Sequence, residues 1–349
     1  GARAGPVTMA WNTKRLLGVD LGTSAVKAVE LTAQQGKPLR VTGMAAMSLP
    51  NPGEAQATVK EVLRRGAFHT KLTASNVFGR LVSIKYVPLP PMTEEETKKA
   101  LYFEADKYIP FEVKDAFLDG QQIGTPAPGA KEVTAVLVAA RRNLVLERAD
   151  WLSRSGLLPA IMDVDAFAIG NAFELGLATA AGGAADRSVA VVDIGAAKTS
   201  ITILRGGATC FSREIYLAGN DVTDAIAKRL SISAAEAEAV KLAPAGQEVA
   251  CRDAAQDIIE DLANEIRLSF EFYENQHETM VEEVCLSGGG ARFVGLVESL
   301  AKVFNKPAQL WNPFQNLVGE GPGLDAESLG KAGGTMAVAL GLASRLRAL

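Results

Sequence analysis

Asp20 and Asp193 are the residues of this chain whose setting points to chemistry. Asp20 closes the first apolar run of "LLGVDLGTSAVKAVEL" (16–31), and Asp193 closes that of "VAVVDIGAAKTSITIL" (189–204). A glycine, Gly22 or Gly195, follows each acid two residues later, and the apolar pattern then resumes. Such a turn places a carboxylate beside backbone that a ligand can approach closely. Its N–H groups and the hydroxyls of Thr23 and Ser24 could hold phosphate oxygens. A carboxylate repels phosphate, so the pattern calls for Mg2+ between them, an ion that takes one or two carboxylates, phosphate oxygens and water. Lys27 adds a point charge for a phosphate. Two such turns, half a chain apart, would grip a polyphosphate from both sides.

A third glycine site is "LSGGGARFVGL" (286–296). A strand running into Gly288, Gly289 and Gly290 and then a helix offers a surface free of side chains, against which a flat base or a phosphate could lie. No GxxxxGK[ST] motif occurs, and no GxGxxG opens a helix, so neither a Walker loop nor a Rossmann fingerprint is present.

The elements that must position these turns follow from periodicity. Residues 15–31 read as two strands joined at Gly22, with a third strand candidate at 38–49 and a helix over 54–68. Strands are predicted within 75–91. A helix over 93–109 is opened by a Thr93–Glu96 capping box and closed by Pro110. Strands at 117–123 and 132–140 and a helix over 142–156 complete an α+β segment; "GTPAPGAK" reads as a loop between its strands. "DVDAFAIGNAFELGLA" (163–178) reads as an apolar helix and "ATAAGGAADR" as a connector. After the second strand–turn–strand come a strand at 208–217, helices near 221, at 233–242 and at 252–277, and a last helix over 330–346. Domain boundaries follow. Residues 9–83 and 161–186 form a first lobe, 84–160 an insert, and 187–349 a second lobe whose smaller subdomain is 219–283.

The 349 residues favour two lobes. A net charge of −4 leaves no electrostatic footprint for nucleic acid. Three scattered cysteines, Cys210, Cys251 and Cys285, show neither metal spacing nor a disulfide framework and point to a reducing compartment. No apolar stretch reaches the ~18 residues of a membrane span, and the start lacks a signal peptide's apolar region. "GARAGPVT" before Met9 reads as a tag remnant.

The ordered set of motifs resembles the actin-like ATPase superfamily. The two DxG turns are similar to its phosphate motifs, "SGGGARFVGL" to its adenosine motif, and "DVDAFAIGNAF" and "GGTMAVALGLASR" to its two connecting helices. The segment "VPLPPMTEEETKKALYFEADKYIPFEVKDAFLD", followed by "VLVAARRNLV", resembles within that superfamily the PilM family of type IV pilus assembly, related to the division protein FtsA.

The resemblance implies an α/β, actin-like (ribonuclease H-like) duplicated two-lobe fold with an α+β insert subdomain. It implies an assembly scaffold with ATP in the interlobe cleft, and leaves the rate of turnover open. Asp20 and Asp193 would face Mg2+. Gly22, Thr23, Ser24, Gly195, Ala196 and Lys198 would line the phosphates, with Lys27 as the charged contact. Asp165 falls where the first connecting helix offers a polar residue to attacking water or metal, giving Asp165 and Asp193 the catalytic positions. Glu238 and Lys241 match residues that bracket ribose and adenine, and Gly219, Gly288, Gly289, Gly290 and Arg292 complete the cofactor set. Ala196 stands where a hydroxyl is common, so binding is expected to survive more easily than rapid turnover. The implied partner is the cytoplasmic N-terminal peptide of a PilN-like inner-membrane protein, held extended between first lobe and insert. "VSIKYVPLP" and the 93–109 helix are candidate walls, and Leu101, Ala105 and Tyr108 are either part of that wall or plain insert core. The implied place is the cytoplasm, at the inner membrane through partners. The competing readings are a cell-division or type II secretion component of the same fold, and a sugar kinase, for which no acceptor-activating carboxylate is evident.

Overall fold

The computed structural model describes residues 13–49, 51–124, 129–179 and 187–348. The expected tag remnant, the tip of the "GTPAPGAK" loop at 125–128 and the connector at 180–186 lie outside the described residues.

Strands β1 (Thr13–Leu21), β2 (Ala25–Gln34) and β3 (Arg40–Ser48) form an antiparallel meander, followed by α1 (Ala55–Gly66) and β4 (Leu72–Val77). Next come β5 (Val82–Leu89), α2 (Glu94–Glu104), β6 (Ala116–Gln122), β7 (Val133–Arg141), α3 (Arg142–Arg154), β8 (Leu158–Val164) and α4 (Asp165–Thr179). The pattern then restarts with β9 (Ser188–Ile194), β10 (Thr199–Arg205), β11 (Ala208–Ile215), α5 (Gly219–Leu230), α6 (Ala234–Leu242), α7 (Glu248–His277) and β12 (Glu283–Ser287). Helix α8 (Leu296–Phe304), β13 (Ala308–Leu310), β14 (Val318–Gly319), α9 (Ala326–Ala332) and α10 (Ala337–Ser344) complete the chain.

Two sheets repeat one plan. In the first, of order β14-β3-β2-β1-β4-β8, β1 pairs antiparallel with β2 and parallel with β4. In the second, of order β11-β10-β9-β12-β13, β9 pairs antiparallel with β10 and parallel with β12. The duplication read from two sequence stretches is thus a duplication of sheet register. A third sheet, β5-β7-β6, belongs to the insert, and α2 packs on it with Leu101 and Ala105 fully buried against Val87 and Leu137. Those two residues are insert core. The capping box is present: Thr93 Oγ1 accepts from Glu96 N, and Glu96 Oε2 accepts from Thr93 N.

Several elements differ from the sequence expectation. "LPAIMDV" is a strand, β8, pairing parallel with β4, where periodicity showed no alternation to mark it. The expected 330–346 helix is broken into α9, a 3-10 turn at Gly333–Met336 and α10. The glycine triplet leads into a 3-10 turn, Gly290–Arg292, and the helix begins only at Leu296. Helix α3, expected in the insert, packs Leu152 and the following Leu157 among Leu17, Val19, Val59 and Val62 of the first lobe.

Helix α10 explains why small residues dominate the end of the chain. All of its residues are buried, against β1, β2 and α4. A Cβ on Gly18 would lie 2.1 Å from Ala339 O, and one on Gly341 would lie 1.7 Å from Ala168 O. Only glycine permits these approaches. Burial of Leu340 and Leu342 there contributes about 1.5–3 kcal/mol each.

Candidate functional site

The two turns close alike. Gly22 N donates to Ala25 O at 3.1 Å, and Gly195 N donates to Lys198 O at 2.9 Å. A Cβ on either glycine would sit 2.9 Å from that same carbonyl, so both positions require glycine to turn this tightly. Thr23 and Ser24 are exposed at the first tip; Ala196 is half-buried and Ala197 exposed at the second. Helix α5 starts against the second turn, with Gly219 N on Gly195 O at 3.0 Å and Asn220 N on Ala196 O at 2.7 Å.

Three acids converge between the turns. Asp20 is nearly fully buried, and Lys27, its register partner on β2, donates to Asp20 Oδ2 at 3.1 Å. Asn76 at the end of β4 donates to Asp20 Oδ1 at 3.0 Å and to Asp165 Oδ1 at 2.7 Å, while its own Oδ1 accepts from Leu21 N at 2.9 Å. Burial opposes the Lys27 charge, but Asp20, Asp193 and Asp165 outweigh it and raise the ammonium's pKa. Asp193 lies beside Ser287 of β12 and Ser200 of β10 in register. Burial pushes its carboxyl above the ordinary range, against the pull of Lys27 and a hydrogen bond from the Ser287 hydroxyl. Among the described residues no ammonium or guanidinium lies within 4.0 Å of Asp193, so its carboxylate is the one of the three left without an ion pair.

Lys198, expected to line the phosphates, is engaged by acids on the second-turn side of the cleft. Its Nζ lies 2.8 Å from Asp165 Oδ2 and 2.5 Å from Glu214 Oε1, donates to Ser200 Oγ at 3.1 Å, and sits 4.6 Å from the centre of the Phe78 ring. Asp165 and Glu214 hold it charged against burial. Glu214 Oε2 accepts from Gly79 N at 3.1 Å, so the same cluster ties β11 to the loop after β4. Lys27 likewise faces Asp20, where the sequence reading gave it a phosphate. Glu214, Asn76, Phe78 and Arg148 were missed. A polar Asn ending the buried run of β4 was the signal that could have flagged Asn76.

At the far end of the cleft, Lys241 Nζ donates to Gly219 O at 3.0 Å and to Thr223 Oγ1 at 2.8 Å, and pairs with Glu238 at 2.6 Å. Lys241 and Gly219 border a small apolar cavity with Ile194, Ile259, Gly290 and Phe293. Gly288 has φ +85°, and a Cβ there would strike Ile194 O at 2.2 Å; Gly290 would strike Ile194 Cγ2 at 2.5 Å; Gly289 faces open space. Arg292 Nη2 donates to Lys331 O, a bond that turns the guanidinium toward the end of α9.

The residues fit a nucleotide. The turns offer backbone where side chains would intrude, Asp193 offers a carboxylate, and Gly289 leaves a stretch of wall bare of side chain, held in place by Gly288 and Gly290 against Ile194. No group of three His, Cys, Asp or Glu that could hold a metal occurs among the described residues. Mg2+ bound through one carboxylate, phosphate and water needs no such group.

The family model for type IV pilus assembly protein PilM matches residues 18–347. The chain belongs to the PilM family. A chain of the "PilM-PilN type IV pilus biogenesis complex" is 29% identical, with a TM-score of 0.83 over 95% of this chain and 98% of that one. The ethanolamine utilization protein EutJ of Carboxydothermus hydrogenoformans is 17% identical, with a TM-score of 0.54 over 95% and 89%. MreB5 of Spiroplasma citri, solved bound to ADP, is 12% identical, with a TM-score of 0.50 over 94% of each chain. The last two share the fold, which is the actin-like one, and this PilM-family chain is a type IV pilus assembly protein. Among the described residues no helix is long and apolar enough to cross a membrane.

A second cavity, of about 540 Å3, separates the insert from the first lobe. Edge strand β6 with Val136 and Val138 of β7 forms one wall; Met162, Asp163, Phe167 and Asn171 form the other. The candidate wall strand "VSIKYVPLP" is instead β5, the opposite edge of the insert sheet, and α2 lies on that sheet.

Proposed function

We propose that this PilM-family protein is a cytoplasmic scaffold that binds ATP with Mg2+ between its lobes and holds the N-terminal peptide of a PilN-like inner-membrane protein. The observation that carries the nucleotide reading is the convergence of Asp20, Asp165 and Asp193 beside two matching glycine turns. The backbone of Gly22–Ser24 and of Gly195–Ala196 would hold the phosphates, Asp193 would hold Mg2+ directly, and Asp20 would do so through water. Gly219, Gly288, Gly289 and Gly290 would border the base, with Glu238 and Lys241 beside the ribose. Bound Mg2+ would neutralise phosphate charge. Asp165 is held by Asn76 and Lys198, which leaves it poorly free to orient water, so turnover is slow. Calorimetry tests this: ATP binding is lost in the Asp20→Ala/Asp193→Ala double variant, and unchanged affinity overturns the reading.

The groove between insert and first lobe is the place for the partner peptide. It joins an edge strand, which can pair with an extended chain, to a wall that mixes apolar Met162 and Phe167 with polar Asp163 and Asn171. The resemblance to the PilM–PilN complex supports a PilN-like occupant. The insert sheet spans 82–141, and α3 bridges it to the first lobe, with Leu144 and Val145 against the sheet and Leu152 in the first-lobe core. A labelled PilN N-terminal peptide titrated against wild type and Met162→Glu should bind the first and lose at least tenfold in the second; equal affinities overturn the groove assignment.

A further inference from the structure

The cations that the sequence reading offered to a nucleotide already have partners. Lys27 is on Asp20, Lys198 on Asp165 and Glu214, Lys241 on Glu238, and Arg292 on a backbone carbonyl. Each ammonium faces a carboxylate, so a highly charged anion would enter a cleft whose positive charge is already balanced. Arg148 on α3 is different. Its Nη1 donates to Leu21 O at 2.6 Å, the carbonyl immediately before Gly22 of the first turn. Its guanidinium lies 5.0 Å from the centre of the Phe78 ring and 5.6 Å from that of Trp151. No carboxylate lies within 4.0 Å of it among the described residues; burial opposes its charge and lowers its pKa, an effect that the more distant Asp165 and Asp20 only partly offset.

A guanidinium carries five N–H donors in a rigid fork, and one bond to Leu21 leaves donors for an anion. Two aromatic rings fix its plane, which lowers the entropy lost on binding. The first turn supplies neutral backbone donors beside it. Backbone donors at the turn, with a guanidinium beside them that no carboxylate pairs within 4.0 Å among the described residues, form a site for a phosphate dianion.

We propose that Arg148 contacts the terminal phosphate of a nucleoside triphosphate bound at the first turn, and so makes the cleft distinguish triphosphate from diphosphate. The proposal rests on the nucleotide reading above. Phe78 is a neighbour common to both cations, with Arg148 at 5.0 Å and Lys198 at 4.6 Å from its ring centre.

Calorimetric titration of the full chain with AMPPNP and with ADP, each with Mg2+, tests it in wild type, Arg148→Met and Arg148→Lys. In Arg148→Met the AMPPNP affinity falls at least tenfold more than the ADP affinity; Arg148→Lys recovers part of that difference, because it keeps the charge without the fork. An equal loss for both nucleotides overturns the proposal and leaves Arg148 a support of the Leu21 carbonyl, and no loss overturns it as well. If Arg148→Met fails to fold, as judged by its melting transition, an unchanged AMPPNP-to-ADP ratio in Arg148→Lys overturns it. Wild-type protein that binds neither nucleotide overturns the nucleotide reading and this proposal together, an outcome distinct from selective failure of the variants.

Discussion

Lys198 Nζ lies 2.8 Å from Asp165 Oδ2, an ion pair between the second turn and the head of α4, with both side chains about nine-tenths buried. A residue expected to line the phosphates also joins the two halves of the molecule. Removing one member of such a pair leaves a buried charge uncompensated, which costs about 3 kcal/mol. Lys198→Met should lower the urea midpoint accordingly, and hydrogen exchange at the Gly79 amide, which donates to Glu214 in the same cluster, should rise at least tenfold. Unchanged Gly79 exchange would show that the pair does not hold the cleft.

Asn76 is fully buried and gives one proton to each of two carboxylates while accepting from Leu21 N. In Asn76→Ala the two acids lose their shared donor and a backbone N–H loses its acceptor. The expected cost is roughly 3 kcal/mol, read from chemical denaturation; a loss below about 1 kcal/mol would mean that water replaces the amide at little cost.

The glycine triplet separates stability from binding. Gly288→Ala meets a backbone oxygen at 2.2 Å in a left-handed conformation and should cost at least about 2 kcal/mol. Gly289→Ala meets nothing and should leave the melting point within about 1 °C while weakening nucleotide binding, since its Cβ would stand on the bare wall. Equal melting points for the two variants would contradict the geometry.

Asp163 gives a pH dependence of known sign. Burial pushes its carboxyl above the ordinary 3.8, only partly offset by Arg345 at 3.6 Å and the Val164 N–H. The folded state therefore binds this proton more tightly than the unfolded chain. The stabilisation is full below pH 3.8 and is lost as pH rises through the folded value. Asp163→Asn should flatten that part of the profile and raise the melting point at pH 7; a profile parallel to wild type would show that another group carries it.

The duplicated turns were legible because tight turning admits only glycine and because buried strands leave long apolar runs. The strand–turn–strand units around them followed from the same runs. Strand β8 was not legible: most of its residues are half-buried with no sustained alternation, and Pro159 reads as a break, yet pairing with β4 forms the strand. The partners of Lys27 and Lys198 were hidden for a different reason. A lysine's four-carbon stem reaches any acid that the fold brings near, and Asp165 and Glu214 lie far from Lys198 in sequence or across a hairpin from it. Arg148 sits among ordinary helix-forming residues, and nothing in its spacing marks the Leu21 carbonyl as its target.

Helix α10 fills the face of the sheet formed by β1, β2 and β4, packing against strands roughly 300 residues earlier in the chain. The nascent first lobe therefore leaves the ribosome with one side of its central sheet bare and Gly18 waiting for a backbone not yet made. It must be shielded, or remain fluid, until synthesis passes Ser344. Folding of the first lobe thus depends on a segment made roughly 300 residues later, so a chain interrupted before α10 would be a sticky fragment in place of a free-standing lobe.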